Sequence, residues 1–429
     1  MNRIMLFSTT TYPRRPQALM EIVKTILQQM SNVTKPQRKF MWKLLPLLMC
    51  LRGRANFRNL SRYSDYHEKT FSRWYRRDFD FVEFNRLSLL PLGKAETTLV
   101  AATDCSFTPK SGKHTDGLGM FYNGVRGKAE KGLEISTFRQ AQCTALAVVN
   151  VTENTAYNLS TRQTPATLRQ AQRTANKGDE SRVDCYLEHL KQDRHALPPQ
   201  IRYLVADGYY SKKRYIDGVA ALDLHQIGKL RHDANLRWLY QGEQKPRGRK
   251  RRYDGKVKFG DLSRFEAVGE LDGLQIYTAV VNSAHFKRDL RIAYLVKRVG
   301  NKVHTALLFS TDLSLDAKTL VRYYKARFQI EFLFRDAKQF LGLNHCQARC
   351  TNALHFHFNA SMTALNLLKL EDRQHQTKDD KVISIASWKI RKANIHLLER
   401  FSSYLGLDFT TIKSRPDFEQ LCNYGVSTA

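Results

Sequence analysis

Apolar positions along the chain change period repeatedly, and each change marks a different kind of element. Over residues 17–90 they recur every three to four places, which predicts helices. Ala18, Ile22, Ile26 and Leu27 form one stripe, and a second runs through Phe40–Leu51. The segment NFRNLSRYSDYHEKTFSRWYRR, residues 56–77, predicts a short helix with Leu60 inward, a polar break at Ser64–Asp65 and a second helix. In that second helix Phe71 and Trp74/Tyr75 alternate with Lys69, Arg73, Arg76 and Arg77, as in a helix-turn-helix unit whose basic helix lies along DNA. A plain helical hairpin with a charged outer face would carry the same pattern.

From about residue 96 the texture becomes that of strands. TTLVAATDCSF (97–107) is β-branched and apolar and holds Asp104, and KGLEISTFRQA and TALAVVNVT (131–141 and 144–152) predict neighbours. A polar stretch over 160–195 reads as helical. IRYLVADGYY (201–210) is another buried strand leading to Asp207, followed by a crossover helix over 211–222 and a strand in LHQIGKLR. KPRGRKRRYDGKVK (245–258) reads as an exposed basic loop with phosphate contact as its common use, Lys250, Arg251 and Arg252 at its centre. Three more strands follow over 274–309, and helix returns at about Asp316 and continues, with breaks, to about Leu370. The tail 371–429 is helical and polar. Strands alternating with helices argue for an α/β core.

These changes divide the chain into five parts. They are a helical N-terminal DNA-binding domain over 1–95, the first part of the core over 96–232 and a β-rich insertion over 233–310. The second part of the core spans 311–370, and a C-terminal helical region covers 371–429.

Charge sharpens the picture. Seventy Lys and Arg against forty Asp and Glu give a net charge of +30 over 429 residues. Such an excess repels itself unless a polyanion screens it, and nucleic acid is the usual one. The hydrophobic content of 42% supports real cores. Seven cysteines, at 50, 105, 143, 185, 346, 350 and 422, form no pairing framework and predict reduced thiols in the cytoplasm. The polar start is unlike a secretory signal, and no stretch approaches the roughly 20 apolar residues of a membrane span. A P-loop is absent from the sequence, so ATP use is not indicated.

The chemistry is concentrated in LVRYYKARFQIEFLFRDAKQF, residues 320–340. On a helix Tyr324, Arg327, Glu331 and Lys338 fall within a sector of roughly 60°, joined by Arg335. Ala326, Ile330, Leu333, Ala337 and Phe340 make the opposite, apolar stripe. The helix thus buries one stripe and presents a carboxylate among cations and a phenol. An amphipathic helix with ordinary ion pairs such as Arg327 with Glu331 would share that spacing. Asp104 and Asp207, each at the end of an apolar strand, supply two further carboxylates where α/β sheets display reactive groups. Phosphodiester cleavage needs an activated oxygen nucleophile and charge neutralisation, which two Mg²⁺ ions about 3.5–4 Å apart provide on carboxylate ligands.

The spacing Tyr324, Arg327, Glu331, Lys338 resembles the YREK signature of the insertion-sequence-four superfamily of bacterial DDE transposases, and Asp104 in TDCSF and Asp207 in ADGYY resemble its first two acids. The likeness covers about residues 97–370. It implies an RNase H-like α/β catalytic core interrupted by a β-rich insertion, and strand cleavage and joining dependent on two Mg²⁺, with Mn²⁺ as a substitute. Asp104, Asp207 and Glu331 would be the catalytic metal ligands, with Tyr324, Arg327 and Lys338 on the DNA. The implied partners are terminal inverted repeats, target DNA and a second copy in a synaptic complex, in a bacterial cytoplasm at the nucleoid. An RNase H-like endonuclease that does not join strands and a helix-turn-helix regulator are the competing readings.

One departure stands out. Members that cut the second strand through a hairpin place a Trp in the insertion shortly before the final helix, yet residues 239–387 contain none. Trp238 reads as packing, which leaves His304 or Tyr277 to stack on a base. HCQARC (345–350), followed by His355 and His357, has Cys and His near zinc-like spacing but lacks two tight pairs, and reads rather as a turn leaving the core.

Overall fold

In the computed structural model, residues 19–93, 97–106, 108–109, 115, 119–123, 128–133, 143–163, 182–375 and 384–426 are described. Ala18, most of the 131–141 segment and residues 164–181 of the polar stretch lie outside them. The chain divides into two compact units, one of residues 1–74 with 363–429, the other of residues 75–362.

The larger unit is built on one mixed sheet. Its strands are β1 (Leu99–Cys105), β5 (Cys143–Asn150), β6 (Thr155–Gln163), β7 (Tyr203–Val205), β8 (His225–Leu230), β9 (Leu236–Leu239), β10 (Tyr253–Lys256), β11 (Glu266–Leu271), β12 (Leu274–Ser283), β13 (Arg288–Val299) and β14 (Lys302–Ser310). A separate small sheet holds β2 (Thr108–Pro109), β3 (Gly119–Asn123) and β4 (Lys128–Leu133). The main order is β10-β9-β12-β13-β14-β8-β7-β1-β5-β6, with β11 on β12. β1 runs parallel to β7 and β7 to β8, whereas β5 and β6 pair antiparallel. The first five residues of β1 are buried, as in a strand covered on both faces.

The insertion does not interrupt this sheet but extends it. β14 pairs antiparallel with β8, Leu307 with Leu230 and Ser310 with Ile227, so the insertion's last strand shares a ladder with the strand that precedes the insertion. At that seam a Cβ on Gly228 would come within 2.8 Å of the Phe309 ring, which is why glycine is needed. Trp238, Phe265, Leu290 and Ile292 form the insertion's core.

Two expectations need correction. β6 ends inside the stretch read as helical, whose first residues are polar yet buried: Ser160 and Thr161, like Asn158, lie in the interior. Thr161 is bonded to Asn158 and Asn359, and Ser160 to His189. Helix begins only at Arg182 within the described part of that stretch. The basic run 245–258 is not all loop, since Tyr253–Lys256 forms β10 and Val257 is buried.

The smaller unit is helical. Its first helix, Leu19–Gln29, buries Val23, Ile26 and Leu27, while Ile22 is only half-buried. The helices Phe57–Arg62 and Glu68–Trp74 form the predicted hairpin, with Leu60 and Phe71 buried and Asn56 capping the first. Trp74 stacks on Phe40, 5.1 Å between centroids. The second helix ends at Trp74, so Arg76 and Arg77 lie beyond it. The tail forms the helices Ile385–Tyr404, Phe409–Lys413 and Phe418–Cys422. In the first of these Lys389 is used internally: its Nζ donates to Leu48 O and Leu51 O, 2.8 and 2.9 Å, satisfying carbonyls at the end of the Lys35–Cys50 helix. The tail also exposes Leu397, Phe401 and Tyr404, which its polar composition does not suggest. No described helix is long and apolar enough to cross a membrane.

Candidate active site

Register brings the first two acids together. Ala102 on β1 pairs with Val205 on β7, so Asp104 and Asp207, each two residues further on, stand level at adjoining strand ends. Neighbouring strands lie about 4.8 Å apart, which makes the two carboxyls close neighbours. Each is fixed by the chain that follows it. Asp104 accepts from Cys105 N at 2.8 Å, and Asp207 caps the turn at Gly208–Tyr210, accepting from Tyr209 N at 2.8 Å.

The third acid arrives on a helix packed over β6, β1 and β5. Expected as one continuous helix, the segment is two, Ala317–Ala326 and Phe328–Phe340. The first packs on β13, β14, β12 and β8, and the join falls at Arg327. There Arg327 N donates to Tyr324 O and Ile330 N to Arg327 O, three-residue bonds that tighten the turn. The apolar stripe is as expected in Ala326, Ile330, Leu333 and Ala337, all buried, whereas Phe340 is only half-buried. Burying Ile330 and Leu333 stabilises the docking by about 1.5–3 kcal/mol each.

Arg327 joins the acids. Its side chain is 8% exposed, donating from Nη1 to Asp104 Oδ2 at 3.2 Å and from Nη2 to Glu331 Oε1 at 2.8 Å. Tyr324 and Phe328 flank the guanidinium, ring centroids 5.8 and 4.8 Å away. Burial pushes the Asp104 carboxyl up to about 7, with the charges of Asp207 and Glu331 adding to it and the Cys105 amide and Arg327 opposing. Burial raises Asp207 as well. The net effect on Arg327 is upward: burial disfavours its charge, but Asp104, Tyr324 and Glu331 outweigh that. Asp104 and Glu331 therefore share one buried cation, whose charge Asp207 also feels.

Lys338, about two turns beyond Glu331, donates to Ser106 Oγ, and burial lowers its pKa to about 8. Arg335 turns away to Asp336 and lies over Phe332 at 4.6 Å. Sequence reading passed over Ser106, which follows the last residue of β1 and lies two residues beyond its acid, and the exposed rings of Phe328 and Phe332 beside Glu331. Aromatics at i and i+4 outside the buried stripe were the available signal for the rings; Ser106 gave none.

The remaining basic candidates are not part of this cluster. Lys250 and Arg252 are exposed, and Arg251 is held by Asp254 and by Tyr253 O. Arg73 is exposed on its helix, and Arg76 and Arg77 are exposed beyond it. Trp238 is buried against Phe265 at 5.1 Å, under the Arg264 guanidinium, while Tyr277 is half-buried and His304 exposed. His357 is buried and bonded to Gly342 O, and His355 lies beside Asn359.

Among the described residues no three acidic, His or Cys side chains stand close enough together, as placed, to ligate one ion. The donor set nonetheless suits a divalent cation. Carboxylates are the ligands hard cations take. Two of these are pushed toward protonation by crowding and burial, and a guanidinium already lies between two of the three.

Residues 154–367 match the transposase DDE domain family. The match supports a DDE transposase. It spans Asp207, Tyr324, Arg327, Glu331 and Lys338 but begins after Asp104, which is tied to the transposase-domain residues by the β1–β7 register and by Arg327. A comparison with curated proteins finds no match. A similar solved structure, the cryo-EM structure of a piggyBac transposase synaptic complex with hairpin DNA, is 10% identical. The alignment covers 94% of this chain and 81% of that one, with a TM-score of 0.44. At that similarity it bears on neither fold nor activity.

Proposed function

We infer that this chain is a DNA transposase of the insertion-sequence-four superfamily. In this reading it binds the terminal inverted repeats of its own element, cleaves there and joins the ends to target DNA. The observation that carries the reading is the Arg327 bridge: the strand-end acid Asp104 and the helix acid Glu331 meet on a single guanidinium whose charge also reaches Asp207. A mixed sheet in which β1 lies between parallel β7 and antiparallel β5 supports an RNase H-like core.

In this reading Asp104, Asp207 and Glu331 would hold divalent cations, Mg²⁺ by choice. Those ions would supply activation of water or a 3′-hydroxyl and neutralisation of charge at phosphorus. Arg327 compensates the acids until DNA arrives. Tyr324, Arg327 and Lys338 bind the phosphates beside the cut, with Ser106 orienting the ammonium of Lys338. Arg73, Arg76 and Arg77, with Lys250, Arg251 and Arg252, add phosphate contacts along the duplex. Joining two ends calls for a second copy of the chain.

The test incubates purified protein with terminal-repeat DNA, Mg²⁺ and a plasmid target. Wild type is expected to give joined products, and Asp104→Ala, Asp207→Ala and Glu331→Ala to give none. Cleavage without joining would point to an endonuclease. DNA binding with no cleavage by wild type would point to a regulator and sink the reading.

A further inference from the structure

The end of the β13–β14 hairpin leaves the body of the larger unit as a free two-stranded ribbon. Leu295 and Val296 are the last buried residues of β13, and residues 297–305 are exposed on both faces. The strands stay paired to the tip: Lys297 faces His304, Arg298 faces Val303 and Val299 faces Lys302. Gly300 closes the turn with a φ of +56°, a conformation open to glycine and suited to tight hairpins.

Two features set this ribbon apart from a solvated turn. The first is charge. No acid occurs between Asp289 and Asp312, and none stands across the ribbon from Lys297, Arg298 or Lys302. An exposed ribbon ordinarily gains from opposite charges across its strands, and this one forgoes them. Val299 and Val303, 54% and 59% exposed, sit among the cations on its two faces.

The second is where it points. Leu307 pairs with Leu230, the last residue of β8, and β8, β7 and β1 run parallel. The part of β14 before Leu307 therefore overshoots the sheet edge at which Asp104 and Asp207 stand. Five residues back to Lys302, at roughly 3.4 Å each, carry the tip about 17 Å past that edge. β14 lies three strands from β1, about 14 Å to the side. DNA lying with a phosphate at the acids would meet the ribbon within one helical turn, about 34–36 Å. A two-stranded ribbon also matches the roughly 12 Å width of the major groove.

We propose that the ribbon of residues 297–304 enters the major groove of duplex DNA next to the cleavage position. Lys297, Arg298 and Lys302 contact phosphates along the groove walls, and Val299 and Val303 lie against base edges such as thymine methyls. The proposal rests on the transposase reading, because duplex DNA must lie across the acids.

The experiment follows anisotropy of a labelled duplex carrying the terminal repeat with flanking sequence, over a salt series. Wild type is compared with the triple variant Lys297→Ala, Arg298→Ala, Lys302→Ala. Each phosphate contact contributes about 0.9 to the slope of log K against log salt, so the slope should fall by about 2–3, with roughly tenfold or greater loss of affinity at 0.1 M salt. Lys297→Arg, Arg298→Lys, Lys302→Arg should restore the slope. Circular dichroism melting should leave all three proteins alike, since the changed side chains are exposed. An unchanged slope with affinity within twofold of wild type overturns the ribbon's role and leaves the transposase reading intact. Absence of salt-dependent DNA binding by wild type overturns both.

Discussion

Replacing Asp104 by asparagine removes a charge while keeping the side chain's shape. The native Asp104 carboxyl is raised from 3.8 to about 7. Between those values the folded protein keeps a proton that the unfolded chain has released, so wild-type stability falls as pH rises across that window and levels off above it. Asparagine does not titrate and is spared the loss. At 1.36 kcal/mol per pKa unit, the variant should gain on wild type by well under 1 kcal/mol at pH 4 and by about 4 kcal/mol at pH 8. Urea unfolding of both proteins in EDTA at the two pH values measures the gap directly. A gap that is the same at pH 4 and pH 8, or a variant less stable than wild type at pH 8, would refute the buried, crowded environment assigned to Asp104. The same substitution should abolish strand cleavage, making the acid a stability cost kept for function.

Three further outcomes follow from the geometry. Arg327→Gln removes the cation between Asp104 and Glu331 and should cost about 3–5 kcal/mol at pH 8, with part recovered in acid, as read by thermal melting. Equal melting temperatures for wild type and variant at pH 8 would dissolve the bridge argument. Gly228→Ala drives a methyl to within 2.8 Å of the Phe309 ring and should cost about 1–3 kcal/mol, with faster amide exchange along β8 and β14. Unchanged exchange would mean the seam yields more easily than its contacts suggest. Trp238→Ala should cost about 3–5 kcal/mol by emptying the insertion's core, while Trp238→Phe should leave cleavage products unchanged; loss of second-strand products in Trp238→Phe alone would show that the ring serves DNA instead.

How much was legible beforehand depended on which face of each element carried the information. The apolar stripe of Ile330, Leu333 and Ala337 reports directly on packing, so the outward side of Glu331 could be read from spacing. Asp104 and Asp207 could be read because buried strands end abruptly at them. Their level alignment could not, because register belongs to the pairing of Ala102 with Val205 and leaves no mark on either strand alone. The end of β6 was hidden because its buried groups there, Ser160 and Thr161, are hydroxyls, with the Thr161 backbone satisfied by a residue as distant as Asn359. The tightened turn at Arg327 was hidden for a related reason: nothing in KARFQ is a helix breaker, and the join lies where the two halves pack on different strands.

The shared ladder of β8 and β14 bears on how such a chain is made. During synthesis β7 and β8 emerge with the first part of the core, but the partner of β8 is the insertion's last strand and arrives only once the rest of the insertion has been translated. Until then Gln226, Ile227 and Leu230 line an unpaired edge, the kind that recruits foreign strands. Folding of the catalytic half is thereby tied to completion of the insertion. A chain truncated within residues 233–301 would offer that edge to aggregation, and a premature stop there would be cleared as misfolded protein instead of persisting as a partly active fragment.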